Sequence, residues 1–296
     1  MPRVHPAGPL SQVQRGHGEP DPAAVLARGS AREVPADVEA GRWRMENIIV
    51  TYLEKPELND PIFIEGLPGI GNVGKLAAEH LKDELKGVKF AEVVSKYFPP
   101  QVLVQEDGLI KLVNNEFYYV KRPGKRDLVL LVGDYQGLTP EGQYELSDRV
   151  LKEVTALGVK QAFTLGGYGM GRMVTKPRVL GAATDPELVK EMEKLGVVFS
   201  RGEPGAGIVG ASGLVLGLGR FHGVRSVCLM GETSGYFVDP KSAQAVLTVL
   251  TKVLDVEISF TELESKAKQI DSITSKLREA EASPEGPSKE DLGYIG

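Results

Sequence analysis

The chain has 296 residues, 42% of them hydrophobic and 25% charged, with a formal net charge of −5, a single cysteine and four histidines. That length suffices for one large core or two small ones, and the acidic balance gives no basic signature for nucleic acid or an anionic membrane surface. Cys228 alone makes no internal disulfide, no apolar stretch approaches the ~18 residues of a membrane span, and no hydrophobic block marks a signal peptide in the first thirty residues, so a cytoplasmic protein is expected.

Residues 1–44 are rich in Pro, Ala, Arg and Gly and lack Ile, Phe and Tyr, which predicts a disordered tail. A second reading places the natural start at Met45, just before ENIIVTYLEKP, where a folded domain over 45–258 is expected to begin. The β-type run IIVTYL leads to PIFIEGLPGIGNVGK (61–75), an apolar strand that ends at Glu65 and runs into four glycines. The following KLAAEHLKDEL has apolar residues at helical spacing. Gly69, Gly71 and Gly74 match G-x-G-x-x-G, whose glycines make a tight turn and whose helix N-terminus offers amides to an anion. Gly69–Lys75 also fits G-x-x-x-x-G-K, but Leu76 stands where a nucleotide triphosphatase needs Ser or Thr for magnesium.

Next come a strand at 87–95 and three short alternating runs, QVLVQ (101–105), GLIKLV (108–113) and EFYYV (116–120), separated by Asp107-Gly108 and Asn114-Asn115. Together they predict a small antiparallel extension. DLVLLVGD (127–134) is apolar throughout, as a buried parallel strand should be. Pro140 opens a helix that Gly158 stops, and QAFTLGGYGMG (161–171) is a second strand running into glycines. Asp185-Pro186 starts another helix, followed by VVFS (197–200) as a strand and IVGASGLVLGLG (208–219) as a buried helix tolerant of small residues. VRSVCLMGETSG (224–235) is the third strand-to-glycine junction, and Asp239-Pro240 introduces a last core helix. Strands alternating with helices in this way mean an α/β domain with a mainly parallel sheet and helices on both faces. At 259–282, Leu263, Ala267, Ile270, Thr274 and Leu277 alternate by four and three, a seam suited to oligomerisation as well as to packing on its own domain. Residues 283–296 form a flexible tail with an apolar tip, Tyr294-Ile295.

Ligands of parallel sheets collect at the carboxyl ends of strands. Those ends carry Glu65, Gly69, Gly71, Gly74, Asp134, Gly167, Tyr168, Glu232, Thr233 and Ser234, with Asp239 nearby, an acidic, glycine-lined candidate pocket. As a catalytic site it is poorly equipped. Glu65 and Asp134 suit an acid–base pair less well than they suit holding loop amides, and only His222 of the four histidines sits in a plausible loop. G-E-T-S-G puts Ser234 one position late for a nucleophile elbow. No Cys/His cluster suggests a metal, and the strand after the glycines ends Val94-Ser95-Lys96 without the acid that holds a ribose. One reading is an enzyme that binds a nucleoside, nucleotide or phosphate at Gly69–Gly74; a metabolic adaptor oligomer is another.

EGLPGIGNVGK (65–75), Phe98-Pro99-Pro100, LGGYGMG (165–171) and GETSGYFVDPKSA (231–243), taken in order, resemble the proteasome assembly chaperone two family, above all its archaeal PbaB-type branch, from about Ile48 to the C-terminus. The resemblance implies a phosphorylase-like three-layer α/β/α sandwich with no enzymatic activity and no cofactor. It also implies self-association as a tetramer, and C-terminal tails that dock on the α-subunits of the 20S proteasome. The family docks through a terminal hydrophobic–tyrosine–any tripeptide. Here the chain ends Tyr294-Ile295-Gly296, the same chemistry shifted by one position.

Overall fold

The computed structural model describes residues 46–199 and 207–282, excepting the side chains of 271 and 273–282. The expectations for the 1–44 tail, and for the 283–296 tail with Tyr294, Ile295 and Gly296, lie outside those residues.

The chain builds β1 (Ile48–Tyr52), β2 (Ile62–Gly66), a 3-10 turn (Ile70–Asn72), α1 (Val73–Glu84), β3 (Val88–Ser95), β4 (Val102–Val104), β5 (Ile110–Leu112), β6 (Asn115–Val120), β7 (Leu128–Gly133) and α2 (Pro140–Ala156). It continues through β8 (Gln161–Gly169), β9 (Val179–Ala183), α3 (Pro186–Glu193), α4 (Ala211–Gly219), β10 (Arg225–Thr233), α5 (Pro240–Leu254) and α6 (Thr261–Ala282). Eight strands form one sheet in the order β1-β3-β6-β7-β2-β8-β10-β9. Its centre, β7-β2-β8-β10, is parallel, and antiparallel strands close both edges.

Why three layers form is visible on β7, which is buried at every position. Side chains alternate across a strand. Leu128, Leu130 and Val132 therefore enter one core with Val73, Ala77, Leu81, Leu188 and Val246 of α1, α3 and α5. Val129 and Leu131 enter the other with Leu146, Val150, Ala211 and Val215 of α2 and α4. A strand apolar on both faces needs helices on both, and the expected α/β/α sandwich follows.

Two expectations are corrected. The run at 116–120 does not belong to the antiparallel extension: it is β6, inserted between β3 and β7, because Phe117 fills one core and Val120 the other. Only β4 and β5 make the small second sheet. Of VVFS, the described residues 197–199 form no strand; Val198 makes a single bridge to Leu180 of β9, a strand that the sequence pattern did not announce. In α6, Leu263 and Ala267 are buried and α5 is the helix beside them, so the start of the heptad seam packs on its own domain.

Candidate functional site

The carboxyl ends of β7, β2, β8 and β10 converge, as the strand reading requires, but the glycine loop between β2 and α1 does not stand open to a ligand. It lies down on the neighbouring strand. A Cβ on Gly74 would sit 2.1 Å from the Leu165 carbonyl oxygen, and one on Gly167 would sit 2.2 Å from the Ile70 carbonyl oxygen. Both distances are far inside van der Waals contact, so backbone meets backbone at these points. Gly71 adopts φ +61°, and its carbonyl accepts the Asp239 amide at 2.9 Å. The first residues of α1, Val73 and Gly74, are buried. Gly74 and Gly167 therefore serve close packing of the loop and α1 on β8, while Gly69 and Ile70 stay exposed at the turn. Lys75 points elsewhere, donating to the Gly133 carbonyl at 3.0 Å. The strand after α1 also departs from the dinucleotide pattern, since β3 lies three places away from β2, beyond β6 and β7.

The acidic residues have structural partners. Glu65 is fully buried on the face covered by α4. Its Oε1 accepts the Leu67 amide at 3.0 Å and its Oε2 accepts the Ser212 hydroxyl at 2.9 Å. Burial pushes its carboxyl up to about 7, against the pull of those two hydrogen bonds. Glu65 is level with Thr164 of β8, and Thr164 with Cys228 of β10. The Thr164 hydroxyl donates to the Ser212 carbonyl at 3.2 Å, and burial, opposed by a Thr164 hydrogen bond and reinforced by the Glu65 charge, pushes the Cys228 thiol up to about 12. This polar row runs beneath the N-terminus of α4, sealed from solvent and out of reach of any substrate.

Asp134 accepts the Asn114 amide at 3.2 Å. Among the described residues no hydrogen bond or ion pair joins it to Glu65, and both carboxylates hold loop amides. Glu232 accepts the Arg178 amide at 3.1 Å and its guanidinium Nε at 3.0 Å, which ties the start of β9 to β10; the guanidinium holds its carboxyl below the ordinary range. Thr233 Oγ1 and Ser234 Oγ accept the amides of Gly235 and Tyr236. Asp239 caps α5, its Oδ1 accepting the Ser242 amide at 3.0 Å ahead of Pro240 at the first helical position. Asp239→Ala is expected to cost about 1 kcal/mol, read as a lowered urea midpoint with unchanged slope. His222 binds Asp148 at 2.9 Å, remote from this cluster in its contacts. Among the described residues no group of three His, Cys, Asp or Glu side chains could hold a metal, and no helix is long and apolar enough to cross a membrane.

Of the candidate residues, Gly71, Thr233 and Asp239 meet, as do Gly74 and Gly167 through the loop, while Glu65, Asp134 and Glu232 each serve a separate contact. Tyr168 is exposed. What stands at the surface here is apolar instead. A cavity of about 200 Å³ lies between the β8–β9 connection, the β10–α5 connection and α6, with Met173, Val174, Phe237, Val238 and Ile270 in its walls. The sequence signal was available: Tyr236-Phe237-Val238 places three large apolar residues in a turn that solvent alone would not favour.

Comparison with known proteins places this geometry. The profile of the PAC2 family matches residues 63–278. A crystal structure of Pyrococcus furiosus PbaB, described as an archaeal proteasome activator, is 42% identical, with 79% of this chain and 100% of that one covered and a TM-score of 0.76. Pyrococcus furiosus PbaA, described as an archaeal homolog of proteasome-assembly chaperone, is 30% identical over 79% of this chain and 92% of that one, with a TM-score of 0.66. An uncharacterized protein of Methanocaldococcus jannaschii is 42% identical over 81% of this chain and 93% of its own. With its fold shared and residues 63–278 matched, the chain belongs to the PAC2 family.

Proposed function

We propose that this protein is a non-catalytic proteasome assembly chaperone of the PbaB type, a cytoplasmic homo-oligomer whose C-terminal tails bind the α-subunits of the 20S proteasome. The carrying observation is 42% identity over the whole chain of a protein described as a proteasome activator. Support for binding over catalysis comes from the closed glycine loop and the sealed Glu65, which leave the nucleotide reading without a place for its phosphate.

Tyr294 and Ile295 would fill an apolar groove between α-subunits while the Gly296 carboxylate pairs with a cation. Several such tails on one tetramer multiply a weak contact through effective concentration. Removing Tyr294–Gly296 is expected to lower recovery of α-subunits from native lysate roughly tenfold or more, the loss of at least about 1.4 kcal/mol of docking energy. Undiminished recovery would reject the tail as the contact.

A further inference from the structure

The two-stranded sheet β4–β5 carries a surface that the tail model leaves unused. In its register Val102 faces Leu112 and Val104 faces Ile110, with Leu103 opposite Lys111 between them. Alternation therefore puts Val102, Val104, Ile110 and Leu112 on one side of the hairpin and Leu103 and Lys111 on the other. The second side is held to the body: Leu103 packs on the core that contains Phe98 and Val113, and the Lys111 ammonium donates to Glu116 at 3.1 Å. Gln101 adds a hydrogen bond to the Tyr135 hydroxyl at 3.0 Å. Pinned in this way, the hairpin cannot turn its aliphatic side inward. Those four residues and Leu109 are between 45% and 73% exposed.

We infer that this aliphatic face is a self-association surface, on which the same hairpin of a second copy packs face to face. The inference rests on the self-association included in the proposed function and supplies the surface for it. Three observations favour a second copy as occupant. First, the five residues present on the order of 500 Å² of aliphatic surface, at the size of the largest patch an ordinary monomer leaves uncovered. Doubled across a two-fold, that buries on the order of 1,000 Å² in total, the area from which a biological interface begins, before any polar rim is added.

Second, the face carries no charge. A residue near a two-fold axis meets its own copy, so a charged residue there would repel itself. On a chain of net charge −5 an uncharged face is where copies approach at least cost. The acidic Glu106 and Asp107 stand at the turn, beyond the last paired residues. Third, the patch holds no aromatic or arginine anchor of the kind that dominates recognition of a foreign partner; it is aliphatic like the core of a homodimer interface.

The test uses the full chain in analytical ultracentrifugation. Val104→Lys with Ile110→Lys, and Val104→Glu with Ile110→Glu, are expected each to weaken self-association at least 100-fold, with far-UV circular dichroism and melting of the monomer unchanged because both positions are exposed. Mixing the lysine and glutamate variants is expected to restore the wild-type mass, which misfolding could not do. Wild-type mass in either variant alone, or no restoration on mixing, overturns the proposal. So does loss of α-subunit recovery with oligomer mass intact, which would assign the face to another protein. A wild type that is monomeric at micromolar concentration instead removes the self-association reading itself, whatever the tail does.

Discussion

Gly74→Ala is expected to destabilise the protein by about 3 kcal/mol or more, while the same substitution at Gly217 stabilises it by roughly 0.5–1 kcal/mol. The difference lies entirely in what the new methyl meets. At Gly74 it would stand 2.1 Å from the Leu165 oxygen and 2.8 Å from its carbonyl carbon, so either α1 lifts from the sheet or β8 shifts. Neither neighbour is a flexible side-chain end, and close-packed interiors yield little. At Gly217, an exposed position of α4, nothing lies within 4 Å, and alanine only removes backbone freedom from the unfolded chain. Thermal unfolding should fall by roughly 10 °C for the first variant and rise by about 2–3 °C for the second. Gly167→Ala, against the Ile70 oxygen, should resemble Gly74→Ala, and the double variant should cost less than the sum because one displacement of the loop relieves both clashes. A Gly74→Ala protein that melts like the wild type would show that the loop has room, and would reopen the ligand reading.

Glu65→Gln is expected to remove a pH dependence of roughly 3 kcal/mol from the folding free energy. In the folded protein burial keeps the Glu65 proton up to about 7, whereas the unfolded chain releases it near 4.5. Between those values the native state binds more protons than the unfolded state, so stability falls as pH rises. The contribution is whole below about 4.5 and lost above about 7. Glutamine keeps an acceptor for the Leu67 amide, and its NH₂ can donate to the Ser212 hydroxyl, which is 3.5 Å from the Leu165 carbonyl and can pass its own proton there. Urea midpoints of the two proteins should therefore agree best near pH 4.5 and separate by pH 8, with the variant the more stable. Groups common to both, such as the Arg-paired Asp185 and Glu232, cancel in the difference. A separation that stays constant over that range would mean that Glu65 is ionised when buried.

The parallel centre of the sheet was legible because its strands are continuous apolar runs that meet glycines: IFIEG and LVLLVG end there, while β8 and β10 run on through Gly166 and Gly231 to Gly169 and Thr233. Aspartate before proline likewise marked the starts of α3 and α5, each capped by that aspartate. The position of β6 was hidden because EFYYV has the same alternation as the hairpin before it; only tertiary packing of Phe117 decides that it enters the main sheet. β9 is short and half made of small residues, so its pattern is weak, and it is secured by Glu232 from another strand. At the glycine loop the sequence offered two readings, a phosphate cradle or close packing. The choice depends on contacts between Gly74 and Leu165 and between Ile70 and Gly167, which are separated by about ninety residues or more and have no local signature.

That separation also constrains how the molecule comes to be made. The bed on which the first residues of α1 rest is β8, which leaves the ribosome only after α1, five further strands and α2 have emerged. Until then Val73, Ala77 and Leu81 have only β2 and β7 to settle on, and the first half of a nascent chain must wait, sticky and unfinished, for its second. The fold is thus built in an order that favours slow closure, and truncated chains ending before Leu165 should be captured by cellular holdases or degraded instead of accumulating as a stable half-domain.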